Sequence, residues 1–421
     1  MPSISLPSDT FTAAQPARAP LMPLDLALAE LLGFAAPLAA SESVSTFDAD
    51  GRVLAQDVQS ALDVPAHDNS SMDGYAVRCS DWASAETHLE VSQRIPAGSS
   101  GHQLAPASVA RIFTGAPIPP GADAVVMQED CDTIEGSVRI RLQPRPGQWI
   151  RWHGEDVARG AVVLHRGERL GPASLGLAAS IGFADLQVTS RVRVALFSTG
   201  DELVMPGDVA PGDMKPGAIY NSNRFFLKAL LQRLGCAVTD LGIVPDRLEA
   251  TIAALKGVSG HHDLILTNGG VSVGEEDHIK PAVQALGELR LWQIAMKPGK
   301  PFACGKIASA HFIGLPGNPV SSFVTFLLLV RPFILRLQGA TQVAPESIAI
   351  RADFDLARAD KRREFLRARF NAAGGLDLFD NQSSGVLTSA AWGDGLVDNP
   401  AGQTVARGDT VRFLPFSALL S

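Results

Sequence analysis

A multidomain protein, part α/β and part β, is what this sequence of 421 residues predicts. Three observations carry that expectation. Between Arg193 and Leu337, short apolar runs alternate with amphipathic stretches, the pattern of strands and crossover helices in a mostly parallel sheet. From Asp63 to Val163, short β-like runs sit between Pro/Gly turns, which reads as a small β-rich module. After Gly339 the chain returns to short strands and turns, which predicts an all-β C-terminal domain. Length alone suggests about two to four domains.

The elements follow in order. Residues 1–20 contain four prolines and little periodicity, and read as a flexible tail. Leu24–Leu32 has apolar residues at helical spacing. Val53–Val58 follows a Gly turn. In the β module, Ala124–Gln128 and Val138–Leu142 are strands between turns such as Ala116–Gly121 and Pro144–Gly147. Ser174–Ile181 is a second helix, ended by Gly182. Then come a strand at Val194–Phe197, a helix at Arg224–Leu234 closed by Gly235, a strand at Ala237–Val244 and a helix at Asp246–Lys256. Leu264–Thr267 is a strand, His278–Leu286 a helix, Leu291–Ala295 and Phe312–Leu315 strands. A last helix runs from about Val320 to Leu337.

Parallel sheets bind ligands at the carboxyl ends of their strands. The loops expected there are Ser198-Thr199-Gly200-Asp201-Glu202, Thr267-Asn268-Gly269-Gly270-Val271-Ser272-Val273-Gly274, Lys297-Pro298-Gly299-Lys300 and Leu315-Pro316-Gly317-Asn318-Pro319. Glycine lets backbone N–H groups approach an anion, and a following helix N-terminus adds positive dipole. Lys297 and Lys300 add mobile charge suited to phosphate. One such loop is only a turn; four on one edge point to a binding site. The second loop ends in Glu275, Glu276 and Asp277, which repel phosphate. Two explanations stand. Carboxylates favour a helix start. Alternatively a divalent cation bridges carboxylate and phosphate, as Mg²⁺ does with one or two carboxylates. Asp201, Glu202 and Asp277 could then hold metal, or position a water or an oxyanion. The residues do not choose between these roles.

Asp63–Arg78, DVPAHDNSSMDGYAVR, is an ordered turn that fixes Asp68 and Asp73 close to backbone amides; Asp68 fits an Asx-turn. Thr114 precedes a Gly-Pro turn, and local pattern alone makes it a turn residue.

Several classes are excluded. Asp and Glu total 44 against 36 Lys and Arg, a net charge of −8, which argues against a general nucleic-acid binder. Cys79, Cys131, Cys236 and Cys304 form no CxxC pair, and with no secretory signal pattern they read as reduced thiols of a cytosolic protein. The longest apolar run, Phe323–Val330, is too short to span a bilayer. The scattered histidines and the His261-His262 doublet show no HxH or HExxH spacing. No GxSxG, Walker A or GxGxxG motif supports a serine hydrolase, P-loop NTPase or Rossmann dehydrogenase.

DNSSMDGYAVR, RIFTGAPIPPGADAVVMQED, GED at 154–156, LFSTGDEL, TNGGVSVGEEDHIK, MKPGKPF and LPGNPVSS occur in the order found in the MoeA family. The sequence resembles these molybdopterin molybdenumtransferases, relatives of the gephyrin E domain and its plant counterpart, from about Met22 onward. The resemblance implies molybdenum cofactor biosynthesis: molybdenum from molybdate enters adenylylated molybdopterin, AMP leaves, and Mg²⁺ is the metal. It implies an extended linker domain of two segments, 21–58 and 154–190, after the tail at 1–20. A β-rich second domain at 59–153, a MogA-like α/β domain at 191–339 and a C-terminal β-barrel-like domain at 340–421 complete the expected organisation. It further implies a cytoplasmic homodimer with the site between one chain's α/β domain and the other's second domain. Expected partners are a MogA-type adenylyltransferase and acceptor molybdoenzymes, with no nucleic acid and no membrane.

Residue by residue, Asp73, Thr114, Asp156, Glu202, Asp246 and Asp277 match catalytic positions of the family. Gly269, Gly270, Ser272, Lys297, Lys300, Pro316, Pro319, Arg367 and Ser384 match substrate-binding positions, Ser383 and Ser384 being interchangeable in the alignment. Glu202 and Asp277 match metal positions. Arg367 has the fixed charge and forked donors to pair an oxyanion. Gln293 departs from the pattern, standing where members often carry a basic residue. The sister adenylyltransferase activity and a molybdopterin-binding scaffold are alternatives. Against the first stand the DGYAVR and FTGAP segments and the C-terminal domain; against the second, the absence of an added domain or long interaction linker.

Overall fold

The computed structural model describes residues 21–270 and 278–420. The chain forms two compact units, one from Ala40 to Thr189 and one joining the segment up to Ala39 with Ser190 onward.

In the Ala40–Thr189 unit, a six-stranded sheet has the order Ala124–Met127, Gly74–Val77, Ser108–Ile112, His88–Ile95, Ser137–Ile140, Cys131–Ile134. Successive side chains point to opposite faces. Tyr75 and Val77 pack with Leu89, Val109 and Val126 on one side, while Ala76 packs with Ile95, Ile112 and Val125 on the other. Both faces are therefore covered, which explains why Ala124–Met127 is apolar without alternation. Beside this sheet, Ser41–Ser45 pairs antiparallel with Asp185–Thr189, and Val58–Gln59 with Val162–Leu164. Leu54, Val58, Leu164, Leu170, Ala178 and Val188 form their shared core. Two distant chain segments thus build one body. The helix at Pro172–Ser180 begins with Pro in its first turn, where the missing N–H costs no helical bond.

In the other unit, six strands form one sheet: β1 Arg193–Thr199, β2 Ala237–Val244, β3 Leu264–Asn268, β4 Gly287–Gln293, β5 Pro301–Ile307 and β6 Ala310–Leu315. Their order is β2-β1-β3-β6-β5-β4. The first four are parallel; β5 runs antiparallel to both β6 and β4. This corrects the strand expected at Leu291–Ala295 and adds β5. The β5 sequence PFACGKI contains Pro and Gly, poor strand formers. Its turn into β6 uses Ala308 at φ +51° where Gly or Asn is usual.

The Pro319–Leu337 helix is 19 residues long and apolar enough to cross a membrane, but it is 94% buried within the protein. The eight-residue run Phe323–Val330 is only its middle and includes a π-helical turn at Phe326–Val330. Val324, Leu327, Val330, Phe333, Ile334 and Leu337 are all buried. Such burial contributes roughly 1.5–3 kcal/mol per side chain, so core packing accounts for the composition. The Leu24–Phe34 helix packs against this helix, and Leu38 N–H donates to Leu337 O at 2.8 Å. Residues 21–39 therefore pack with the α/β body.

The C-terminal strands Arg363–Phe370, Gly395–Asn399, Thr410–Pro415 and Ile348–Arg351 form a second sheet. Leu376–Leu378 pairs with Arg363–Phe370, and a bridge from Ala352 to Leu376 closes the ring into a small barrel. Met296–Lys297, from the turn after β4, joins its edge beside Arg363–Glu364.

Candidate functional site

The strand order reverses between β1 and β3, and ligand sites on open α/β sheets form at such a switch point. Here the loops after β1, β3 and β6 enclose a cavity of about 650 Å³. Thr199, Glu202, Asn221, Ser222, Asn268, Gly269, Pro316, Gly317, Pro319 and Gly385 are in its wall. The strand ends are tied together below it: Ser198 Oγ donates to Asn268 Oδ1 at 2.6 Å, and Gly269 N–H to Leu315 O at 3.0 Å. Gly269 has φ +89°, and a Cβ there would meet Thr199 O at 2.9 Å. Only glycine allows this approach without strain. Asn223 Nδ2 donates to Gly317 O at 2.7 Å and anchors the Leu315–Pro319 loop.

Two helices, Asn223–Arg233 and Pro319–Leu337, begin at this wall, so it carries the positive ends of two helix dipoles. Glu202 is the acid in its described part. Its carboxylate folds over Gly200, where a Cβ would lie 2.6 Å from Oε2. The wall thus suits an anionic ligand with one carboxylate against it.

Other expected residues stand off this wall. Asp246 is half-buried beyond the carboxyl end of β2, and Gly270 is half-buried beside Gly269. Lys297 was expected as mobile charge, but its Nζ pairs with Glu364 at 2.9 Å and Asp360 at 3.2 Å. The Glu364 bond, the largest effect, raises the Lys297 pKa, so the ammonium is already committed. Lys300 is half-buried in the same turn. Arg367 is 1% exposed. Its guanidinium donates to Ser389 Oγ, Phe365 O and Ser383 O at 3.0, 3.0 and 3.5 Å. Burial pushes its pKa down to about 10. Ser384 O accepts from Val320 N–H at 2.9 Å, which holds the Ser383–Gly385 loop at the cavity. Ser272 and Asp277, with Glu275 and Glu276, lie outside the described residues.

In the Ala40–Thr189 unit, Asp73 and Thr114 meet at the ends of the antiparallel strands Gly74–Val77 and Ser108–Ile112. Asp73 Oδ1 accepts from Thr114 N–H at 2.8 Å and from its hydroxyl at 2.9 Å. The N–H first, then the hydroxyl, lowers the Asp73 pKa. Thr114 is therefore more than a turn residue: it fixes the carboxylate. Asp68 accepts from His153 N–H at 2.8 Å, a structural bond spanning 85 residues in place of an Asx-turn. Asp156 is exposed, with its N–H on Val64 O.

Sequence reasoning placed Thr199 and Asn268 in the site loops but missed Asn221, Ser222 and Asn223. The one available signal was the polar run Asn221-Ser222-Asn223 opening an expected helix. A larger hollow of about 760 Å³ lies beside Asp25, Arg363 and Asp398. Its charges are already paired, Arg363 with Asp398 at 2.6 Å and Asp25 at 2.9 Å, so it offers no comparable site. All four cysteines are free, and burial pushes each thiol up to about 12, so none supplies a thiolate at neutral pH. Among the described residues no group of three or more His, Cys, Asp or Glu is placed to hold a metal.

Comparisons bear on what this geometry serves. Residues 22–182 match the MoeA N-terminal region (domains I and II). Residues 195–336 match a probable molybdopterin binding domain, and 349–416 the MoeA C-terminal region (domain IV). A molybdopterin molybdenumtransferase of Haemophilus influenzae is 41% identical over 391 residues, 90% of this chain and 95% of that protein. Molybdopterin molybdenumtransferase 2 of Mycobacterium tuberculosis is 38% identical over 371 residues, 85% and 90% of the two chains. Among solved structures, a molybdopterin biosynthesis MoeA protein from Pyrococcus horikosii is similar with TM-score 0.74 at 31% identity, covering 94% of this chain and 99% of that one. One from Pyrococcus horikoshii OT3 has TM-score 0.82 at 26% identity, covering 94% and 100%.

Proposed function

This chain belongs to the MoeA family of molybdopterin molybdenumtransferases, enzymes of molybdenum cofactor biosynthesis, and from that premise we propose that it transfers molybdenum from molybdate into adenylylated molybdopterin and releases AMP. The observation that carries this reading is the switch-point cavity. Two helix N-termini and the close backbone approach at Gly269 suit a phosphorylated ligand.

The site residues divide by role. Gly269, Gly270, Pro316 and Pro319 shape the phosphate side, with Ser272 contributing from the same loop. Arg367 is buried and bonded to carbonyl and hydroxyl oxygens, with no carboxylate partner among the described residues. An oxyanion such as molybdate would neutralise it, with Ser384 or Ser383 supplying a neighbouring contact. Lys297 and Lys300 act on the same side once Lys297 exchanges a carboxylate partner for substrate. Asp73, held ionised by Thr114, and Asp156 complete the site from the second domain of a partner copy; Asp246 acts on the α/β side.

Mg²⁺ is the proposed metal. Glu202 presents a carboxylate to the cavity, and together with Asp277 and ligand phosphate oxygens it makes the oxygen donor set that this ion takes. When bound, the ion neutralises charge on the departing phosphate.

The homodimer reading is supported by Phe47, 97% exposed beside an apolar hollow lined by Leu175, Gly176, Ala179 and Phe183. A cytoplasmic setting fits four free thiols. Acceptor molybdoenzymes and a MogA-type adenylyltransferase are the proposed protein partners; the acidic composition favours no nucleic acid, and the buried core helix calls for no membrane. Purified protein given adenylylated molybdopterin, molybdate and Mg²⁺ should release AMP and form molybdenum cofactor. Absence of both products would overturn this function.

A further inference from the structure

We propose that Asn221 is a ligand-reading residue, its side-chain amide donating to a phosphate oxygen of the molecule held in the switch-point cavity. The proposal rests on the reading of that cavity as the site for a phosphorylated substrate, and it assigns one wall of it a specific donor.

Asn221 is 1% exposed and stands in the cavity wall immediately before the Asn223–Arg233 helix. Its backbone N–H donates to Val204 O at 2.9 Å, which fixes the residue against the short Leu203–Val204 strand. Its Oδ1 is turned to the helix and accepts Arg224 N–H at 3.3 Å. That leaves the other fork of the amide, Nδ2, buried with no hydrogen-bond partner among the described residues. A buried, unpaired amide donor is costly, and native structures rarely keep one without a reason.

The surroundings specify the partner. Asn221 precedes an eleven-residue helix whose N-cap residue, Ser222, makes no side-chain capping bond. The positive end of the helix dipole favours an anion beside Nδ2. Gly269 and Gly317 line the same cavity. A phosphate oxygen satisfies the orphan donor and uses the dipole; a carbonyl would use only the donor, and an apolar group neither. Asn223 performs a different task, since its Nδ2 is spent on Gly317 O.

The test compares Asn221→Ala and Asn221→Asp with the unaltered protein, using AMP, inorganic phosphate and molybdate as separate probes in calorimetry. Asn221→Asp keeps the acceptor for Arg224 N–H but replaces the donor with a second acceptor. The expected result is AMP and phosphate binding about 10- to 100-fold weaker in both variants. The melting temperature without ligand should fall only slightly in Asn221→Ala, because removal of the orphan donor partly offsets loss of the acceptor for Arg224 N–H. In Asn221→Asp, binding should recover partly as pH falls and the carboxyl gains a proton to donate. In turnover, KM should rise more than kcat falls. Binding of AMP and phosphate within twofold of the unaltered protein, in either variant that melts normally, would overturn the assignment. If both variants melt low, recovery of Asn221→Asp binding at acid pH still supports it, and its absence counts against it. Molybdate-dependent AMP release by the unaltered protein is scored separately: its failure removes the transferase reading, whereas the AMP and phosphate titrations judge Asn221.

Discussion

Asp73 is exposed, yet both donors of Thr114 close on one of its carboxylate oxygens. An exposed charge held this firmly is arranged for something other than stability. Asp73→Asn should lower turnover about tenfold or more while the melting temperature stays within a few degrees, checked by AMP release and calorimetric melting. Turnover within twofold would remove Asp73 from the chemistry. The motif made Asp73 visible in the sequence, but its bond to Thr114 spans 41 residues and only the antiparallel register reveals it. Lys297 is the opposite case: its charge was legible and its partners were not, because Asp360 and Glu364 lie more than sixty residues away. The Arg362 guanidinium first, and then Lys297, hold the Asp360 carboxyl well below its ordinary value. A depressed carboxylate contributes stability above the unfolded Asp pKa, near 3.9, and loses it as pH falls through the lower folded value. Asp360→Asn should therefore cost about 1 kcal/mol at pH 7, and its melting gap from the unaltered protein should close as pH is lowered from about 4 toward 2. A gap independent of pH would mean that the ion pairs are not its cause.

The site at the scale of elements is a set of loop crossings, and Gly269 is the tightest. Alanine there would face both φ +89° and Thr199 O at 2.9 Å. Gly269→Ala should cost about 1–3 kcal/mol in denaturant unfolding and abolish the thermal shift produced by AMP. A full AMP shift in this variant would show that the crossing does not shape the pocket. The parallel strands β1, β2, β3 and β6 were legible because apolar runs alternate with helical ones, and that periodicity survives in any context. The β4–β5–β6 meander was not, since Pro301 and Gly305 disguise β5 and Ala308 makes its turn without a turn residue's signature. Polar residues that open helices, as at Asn221–Asn223, read as caps in a sequence. Only the cavity distinguishes a cap from a ligand contact.

For the whole molecule, the order of bodies was legible from composition, but the packing of residues 21–39 was not. Leu24, Ala27 and Leu31 look like any amphipathic stripe, and what they cover is decided by the helix ending at Leu337, three hundred residues on. Phe47 carries the prediction at this scale. Phe47→Ser removes an exposed aromatic beside an apolar hollow and should shift sedimentation from dimer toward monomer without lowering the melting temperature of the Ala40–Thr189 unit. A dimer of unchanged affinity would place the contact elsewhere. The pairing of Met296–Lys297 with Arg363–Glu364 has a further consequence. The turn after β4 is a seam, because its backbone is an edge strand of the terminal barrel while its neighbours belong to the α/β sheet. The two bodies are accordingly poor modules for exchange. A chimera that grafts a foreign barrel after Gly339 would have to recreate carboxylates opposite Lys297, a backbone edge for Met296 and the loop that carries Ser384 to the helix at Val320. Swaps that respect only the sequence boundary should yield proteins that fold in pieces and leave the cavity rim unassembled.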